Sequence, residues 1–205
     1  MNESKCKEIR ISFAKTEKVL DPITINNSPL EVVKEAKILG LNISNNLKWN
    51  IHVTEIVKKA SKRLYFLTQL KRSKVGSREL VQFFVTCIRS LIEYACPVYH
   101  DGLPDYLSND LERIQKRAMH IIYPSLSYHA ALLTTELVPL SQRRQQLTDK
   151  LFQQILNDKM HKLHKLLPDV NNTSVNLRKK SKFIMPSIKT DRFKKSFVIF
   201  NSLKV

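Results

Sequence analysis

The strongest periodic signal in the chain lies in the stretch Lys37 to Arg72, over the positions Val53 to Leu67, and fades near Lys71 to Lys74. At about 100° per residue, Val53, Ile56, Val57, Ala60, Leu64 and Leu67 fall within roughly 100° of one another. Lys58, Lys59 and Lys62 point to the opposite side. The pattern predicts a long helix with an apolar core face and a cationic face. Solvated lysines are the ordinary outer face of a surface helix. A lysine face is also suited to tracking phosphates.

Before this helix the period is two. Glu8 to Phe13 alternates apolar and polar, as a strand with one buried face does. Pro22 to Ile25 and Leu30 to Val33 read as short strands, separated by the turn residues Asn26-Asn27-Ser28-Pro29. Lys37 to Ile43 reads as one further strand. After the long helix the helical period returns. Ser77 is the expected N-cap of a helix to Ala95, stopped by Pro97, with a loop from Val98 to Leu107. Ser108-Asn109-Asp110 is expected to cap a helix from Leu111 to Ile122. Further helices are expected at Tyr128 to Leu133 and Leu140 to about Leu156, with one or two turns between Met160 and Leu167.

The expected fold class is therefore α+β and mainly α. It comprises a small antiparallel β segment, a bundle of about five helices and a basic, partly ordered tail. The expected divisions are 1–47, 48–168 and 169–205.

Charge changes the picture. Thirty-five basic residues face 18 acidic ones, a net +17. Such an excess repels itself without a polyanion; nucleic acid is the first partner to expect, and an anionic membrane surface is the alternative. Candidate phosphate contacts are Lys58, Lys59, Lys62, Lys71, Arg72, Lys74 and Arg78. In the tail they are Arg178, Lys179, Lys180, Lys182, Arg192, Lys194 and Lys195, interleaved with Phe193, Phe197 and Phe200. The tail suits either base stacking or a helix whose rings cap the core.

Three cysteines at wide spacing make no disulfide framework. With no spanning apolar run and no leader pattern, the expectation is an intracellular protein, nuclear or cytoplasmic, with no membrane partner. There is no adjacent acidic pair, Gly-rich phosphate loop or nucleophile elbow, so no catalytic residue is assigned. Cys96 with His100, and His161 with His164, lack the second pair of a structural zinc site, so no metal is assigned. No cofactor is expected.

Several ordered motifs together resemble the reverse transcriptases of non-LTR retrotransposons, in the part that follows their catalytic centre. They are Lys37-Ile38-Leu39-Gly40-Leu41-Asn42-Ile43, Leu47-Lys48-Trp49-Asn50-Ile51-His52, Tyr94-Ala95-Cys96-Pro97-Val98-Tyr99 and Leu111-Glu112-Arg113-Ile114-Gln115-Lys116-Arg117-Ala118. Pro139-Leu140-Ser141-Gln142-Arg143-Arg144 and Arg192-Phe193-Lys194-Lys195-Ser196-Phe197 complete the series. Asn2 to Phe13 resembles the end of the family's palm. The resemblance implies the end of a palm, a thumb-like helical region and a tail from an RNA-directed DNA polymerase. Its metal-binding carboxylates are absent here, so the chain is expected to be inactive alone. Implied partners are RNA, an RNA–DNA duplex, and the missing palm and fingers of a longer polymerase. The alternatives are a helical protein-interaction module or a decayed transposon fragment.

Overall fold

The structure is a computed structural model and describes residues 5–14, 20–171 and 182–205. The fold is α+β and mainly α, with short strands towards the N-terminal end. The chain divides into two compact units, Met1–Lys59 and Ala60–Val205.

The first unit holds β1 (Lys7–Ile9), β2 (Thr24–Ile25), β3 (Ser28–Pro29), β4 (Glu31–Val33), β5 (Glu35–Ile38) and β6 (Leu41–Ser44). It ends in the first turns of α1 (Asn50–Arg72). β2·β3 and β5·β6 pair antiparallel, while β1 and β4 pair parallel. Asn26 and Asn27 both take positive φ, as the expected turn requires of them.

Lys37 to Ile43 is not one strand. It is a hairpin that turns at Leu39 (φ 46°) and Gly40 (φ 84°). A leucine in the left-handed region hides the turn from a propensity reading. The strand expected from Glu8 to Phe13 stops at Ile9. There Arg10 folds back on Glu8 (2.6 Å), whose other oxygen accepts the Ile23 N–H at 2.9 Å. The chain then leaves the ladder and exposes Ile11 and Phe13.

Between β6 and α1 the Ser44 hydroxyl donates to the Lys48 carbonyl at 3.0 Å. Buried His52 accepts the Asn42 N–H at Nδ1 and meets the Trp49 ring edge-on at 5.9 Å. Burial, reinforced by Lys59, lowers the His52 pKa.

In the second unit α1 ends in a Schellman motif. The Val75 N–H reaches the Leu70 carbonyl, and Lys74 takes the left-handed position usual for glycine. Gly76, not Ser77, caps α2 (Ser77–Phe83). This helix continues through a π-helical segment (Phe84–Arg89) into α3 (Ser90–Glu93). Leu80, Phe84, Ile88 and Ile92 are fully buried at a strict four-residue spacing. In a uniform α-helix that spacing drifts about 40° per step. The wider π turns take the drift back and keep the four side chains in line.

Pro97 does not stop a helix. Ala95 (φ 51°) makes the break, and Pro97 opens the short α4 (Cys96–Tyr99), where its missing N–H is harmless. Nor do Ser108, Asn109 and Asp110 cap the next helix. Pro104 does, and they lie inside α5 (Asp105–Ile122). α6 (Tyr128–Thr135) and α7 (Leu140–Asn157) follow.

A polar clasp joins these three helices. The Glu112 carboxylate on α5 accepts the N–H groups of Leu140 and Ser141 at the start of α7, both at 3.2 Å, and the Tyr128 hydroxyl of α6. Buried Gln115 donates to Tyr128 Oη and to the Val138 carbonyl, both at 3.0 Å. The last elements, α8 (Asp191–Lys194) and α9 (Phe197–Ser202), bring Ile199, Asn201 and Ser202 into the core.

Candidate nucleic-acid interface

From Ala60 to Arg78 the chain carries six basic residues and no acidic one. Ala60, Leu64 and Leu67 are buried. On the wheel, Lys62, Tyr65, Phe66, Gln69 and Arg72 fall within about 120° of one another on the opposite side. Tyr65 and Phe66 are 61 % and 57 % exposed, with ring centroids 5.8 Å apart in an edge-on pair. Lys62 and Arg72 are exposed at either end of this stripe, which is about 15 Å long at the helical rise.

Beside the stripe lies an open, mostly apolar groove of about 600 Å³. Arg63, Phe66, Gln69, Leu70 and Ser73 of the α1 side line it, with Phe83, Thr86 and Cys87 opposite. The Arg63 guanidinium donates to the Cys87 carbonyl across it. Thr86 bonds the Gln82 carbonyl one turn back, and Ser90 bonds that of Thr86. Side chains thus satisfy carbonyls where the π segment opens the ladder. The arrangement offers cations for phosphates, two ring faces for bases, and an apolar channel beside them.

The sequence-derived candidates fall into distinct places. Lys62, Arg72, Lys74 and Arg78 are exposed in the second unit. Lys58 and Lys59 are exposed on the turns of α1 that belong to the first unit. Lys71 is engaged elsewhere. Its ammonium donates to the Ile122 carbonyl at 2.9 Å, at the C-terminal end of α5 where a cation is favoured. Arg178, Lys179 and Lys180 lie outside the described residues. Lys182 sits over the Phe183 ring at 5.9 Å. Arg192, Lys194 and Lys195 are exposed on and just after α8. Phe197 faces Phe152 edge-on at 6.0 Å, and Lys204 stands over the Phe200 ring at 4.3 Å, so these rings are engaged within the chain. Tyr65 and Phe66 escaped the sequence reading, although the same wheel that selects Leu64 and Leu67 excludes them from the core.

Cys96 and His100, and the titratable groups beside them, serve packing. Burial pushes the Cys96 thiol up to about 11 and raises the Tyr99 phenol, whose hydroxyl donates to the Ile92 carbonyl at 2.6 Å. Burial lowers the pKa of His100, which faces Gln145 Oε1 at 3.1 Å. Burial raises that of Asp101, which accepts from Asn201 at 2.8 Å. Among the described residues no group of three or more His, Cys, Asp or Glu is placed to hold a metal ion. Nor, among them, is any helix long and apolar enough to cross a membrane.

A family model described as the N-terminal domain of alkylated DNA repair protein alkB homolog 8 matches residues 49–90, about a fifth of the chain. No curated protein and no solved structure matches. The match covers α1, α2 and the π segment, hence the ring pair and the groove. It overturns the expectation of a retrotransposon reverse transcriptase, and with it the readings as an RNA-directed DNA polymerase fragment, a thumb or a transposon remnant. The motifs behind that expectation have local explanations. Trp49 and His52 hold β6 to the start of α1, and Tyr99 ties α4 to α3. Glu112 and Gln115 anchor α7, and Arg144 reaches Ser108 at 2.7 Å.

Proposed function

We propose that the hairpin of α1 and α2 binds single-stranded nucleic acid, with RNA the first candidate. Lys62 and Arg72 contact phosphates, and Tyr65 and Phe66 stack on two adjacent unpaired bases. The observation that carries the reading is the exposed ring pair between two cations, in a stretch without an acidic residue. Aromatic faces take bases that a duplex keeps stacked on one another, so the rings favour a single strand over an RNA–DNA duplex. The similarity of this segment to part of an alkylated-DNA repair protein supports a role in handling nucleic acid during repair. The site of action is intracellular, in the nucleus or cytoplasm.

The test is fluorescence anisotropy of labelled oligouridine with the full chain across a salt series. Wild-type affinity falls steeply with salt. Lys62→Ala with Arg72→Ala flattens the slope by about 1.4, at about 0.7 per phosphate contact on a single strand. An unchanged slope removes both residues from the interface.

A further inference from the structure

After α7 the chain repeats every three residues: Lys159-Met160-His161, Lys162-Leu163-His164, Lys165-Leu166-Leu167. The backbone repeats with it. The His161 N–H donates to the Asp158 carbonyl, His164 to His161, Leu166 to Leu163 and Leu167 to His164, all at 2.8–3.1 Å. His164–Leu166 is a 3-10 helix. With three residues per turn, residues i and i+3 eclipse. Successive three-residue turns, of which His164–Leu166 alone is helical, thus sort the repeat into three sets, or rows, that differ in burial. His161, His164 and Leu167 are half-buried and seat the ridge. Lys159, Lys162 and Lys165 form one exposed row. Met160, Leu163 and Leu166 form the other, with Met160 90 % exposed.

We propose that this ridge docks on an anionic lipid bilayer. A phosphate backbone complements the lysine row and leaves the aliphatic row in water. A bilayer interface offers both partners at once, anionic headgroups for the ammonium groups and an acyl boundary for Met160, Leu163 and Leu166. Lysine stems beside the apolar row can snorkel to the headgroups. The absence of a spanning helix among the described residues excludes a crossing of that kind, not docking.

The experiment is co-sedimentation of the full chain with vesicles of phosphatidylcholine alone or with added phosphatidylserine. The expected result is binding only to the phosphatidylserine vesicles. It weakens about tenfold or more in Met160→Ser/Leu163→Ser/Leu166→Ser, and likewise in Lys159→Gln/Lys162→Gln/Lys165→Gln. Oligouridine binding stays unchanged in the apolar-row variant, which separates the ridge from the ring pair. A Leu166→Trp reporter, its quenching by brominated lipid read as the difference from wild type because Trp49 also fluoresces, reads insertion even where a triple variant folds poorly. Three results overturn the proposal: no binding to the anionic vesicles, full binding by a folded apolar-row variant, or an unquenched reporter. Full binding by that variant would assign attachment to the chain's general positive charge.

Discussion

Replacing Glu112 by alanine should unseat α7. Its half-buried carboxylate accepts three donors, the N–H groups of Leu140 and Ser141 and the Tyr128 hydroxyl. Pro139, at the N-cap, makes no side-chain cap hydrogen bond, so Glu112 supplies the cap from another helix. Losing a cap costs about 1 kcal/mol. Losing a negative charge at a helix N-terminus costs about 0.5 kcal/mol. Stranding the partly buried Tyr128 hydroxyl adds about 1 kcal/mol. The total is about 2.5 kcal/mol, a fall in melting temperature of about 5–10 °C for a domain of this size. Urea unfolding followed by far-UV circular dichroism measures it. Glu112→Gln keeps an acceptor and should lose roughly half as much. A double-mutant cycle with Tyr128→Phe should return a coupling of about 1 kcal/mol. If Glu112→Ala lies within about 0.5 kcal/mol of wild type, the range for an ordinary surface change, the clasp is not a cap and the reasoning fails.

Arg144 is fully buried, and among the described residues its Nε and Nη1 have no hydrogen-bond partner. Burial lowers its pKa. Arg144→Met should therefore be neutral or stabilising in urea unfolding, as replacement of buried charge by a similar apolar volume often is. A loss above about 3 kcal/mol would mean the guanidinium has a partner that matters. His100 faces Gln145, Arg144, Asp101 and Lys204, and its pKa is depressed. Its contribution is present above the unfolded value of 6.5 and is lost as pH falls through the folded one. Asp101, with a raised pKa, acts in the opposite sense. Its contribution is complete below 3.8 and is lost as pH rises through the folded value. Thermal melts should decline from about pH 7.5 to about pH 5.5, and less so in His100→Gln. An equal decline in both proteins assigns the effect to another group, buried His52 first.

The helices were legible because their apolar residues recur at a period that backbone geometry alone dictates. α7 begins at Leu140 as its pattern says, and α6 begins at Tyr128. The turns were harder. Asn26-Asn27 announces its positive φ, whereas Leu39 and Ala95 adopt it against their own preference because the surrounding structure requires it. The π segment shows in the sequence only as a four-residue spacing that a uniform helix would smear. Polar side chains were least legible. Glu112, Gln115 and Lys71 look like solvated helix residues until distant segments arrive to use them. The ring pair was within reach of the wheel. Its value came only with exposure, since aromatic residues on a helix usually lie in the core.

The most direct test of the nucleic-acid reading is oligouridine affinity of Tyr65→Ala/Phe66→Ala against wild type across the same salt series. Stacking is worth about 1–3 kcal/mol per base. The double variant should lose about 30-fold or more in affinity, with the salt slope unchanged because no charge is removed. Wild-type affinity in the double variant would mean that charge alone holds the strand, and would contradict the stacking interface on α1.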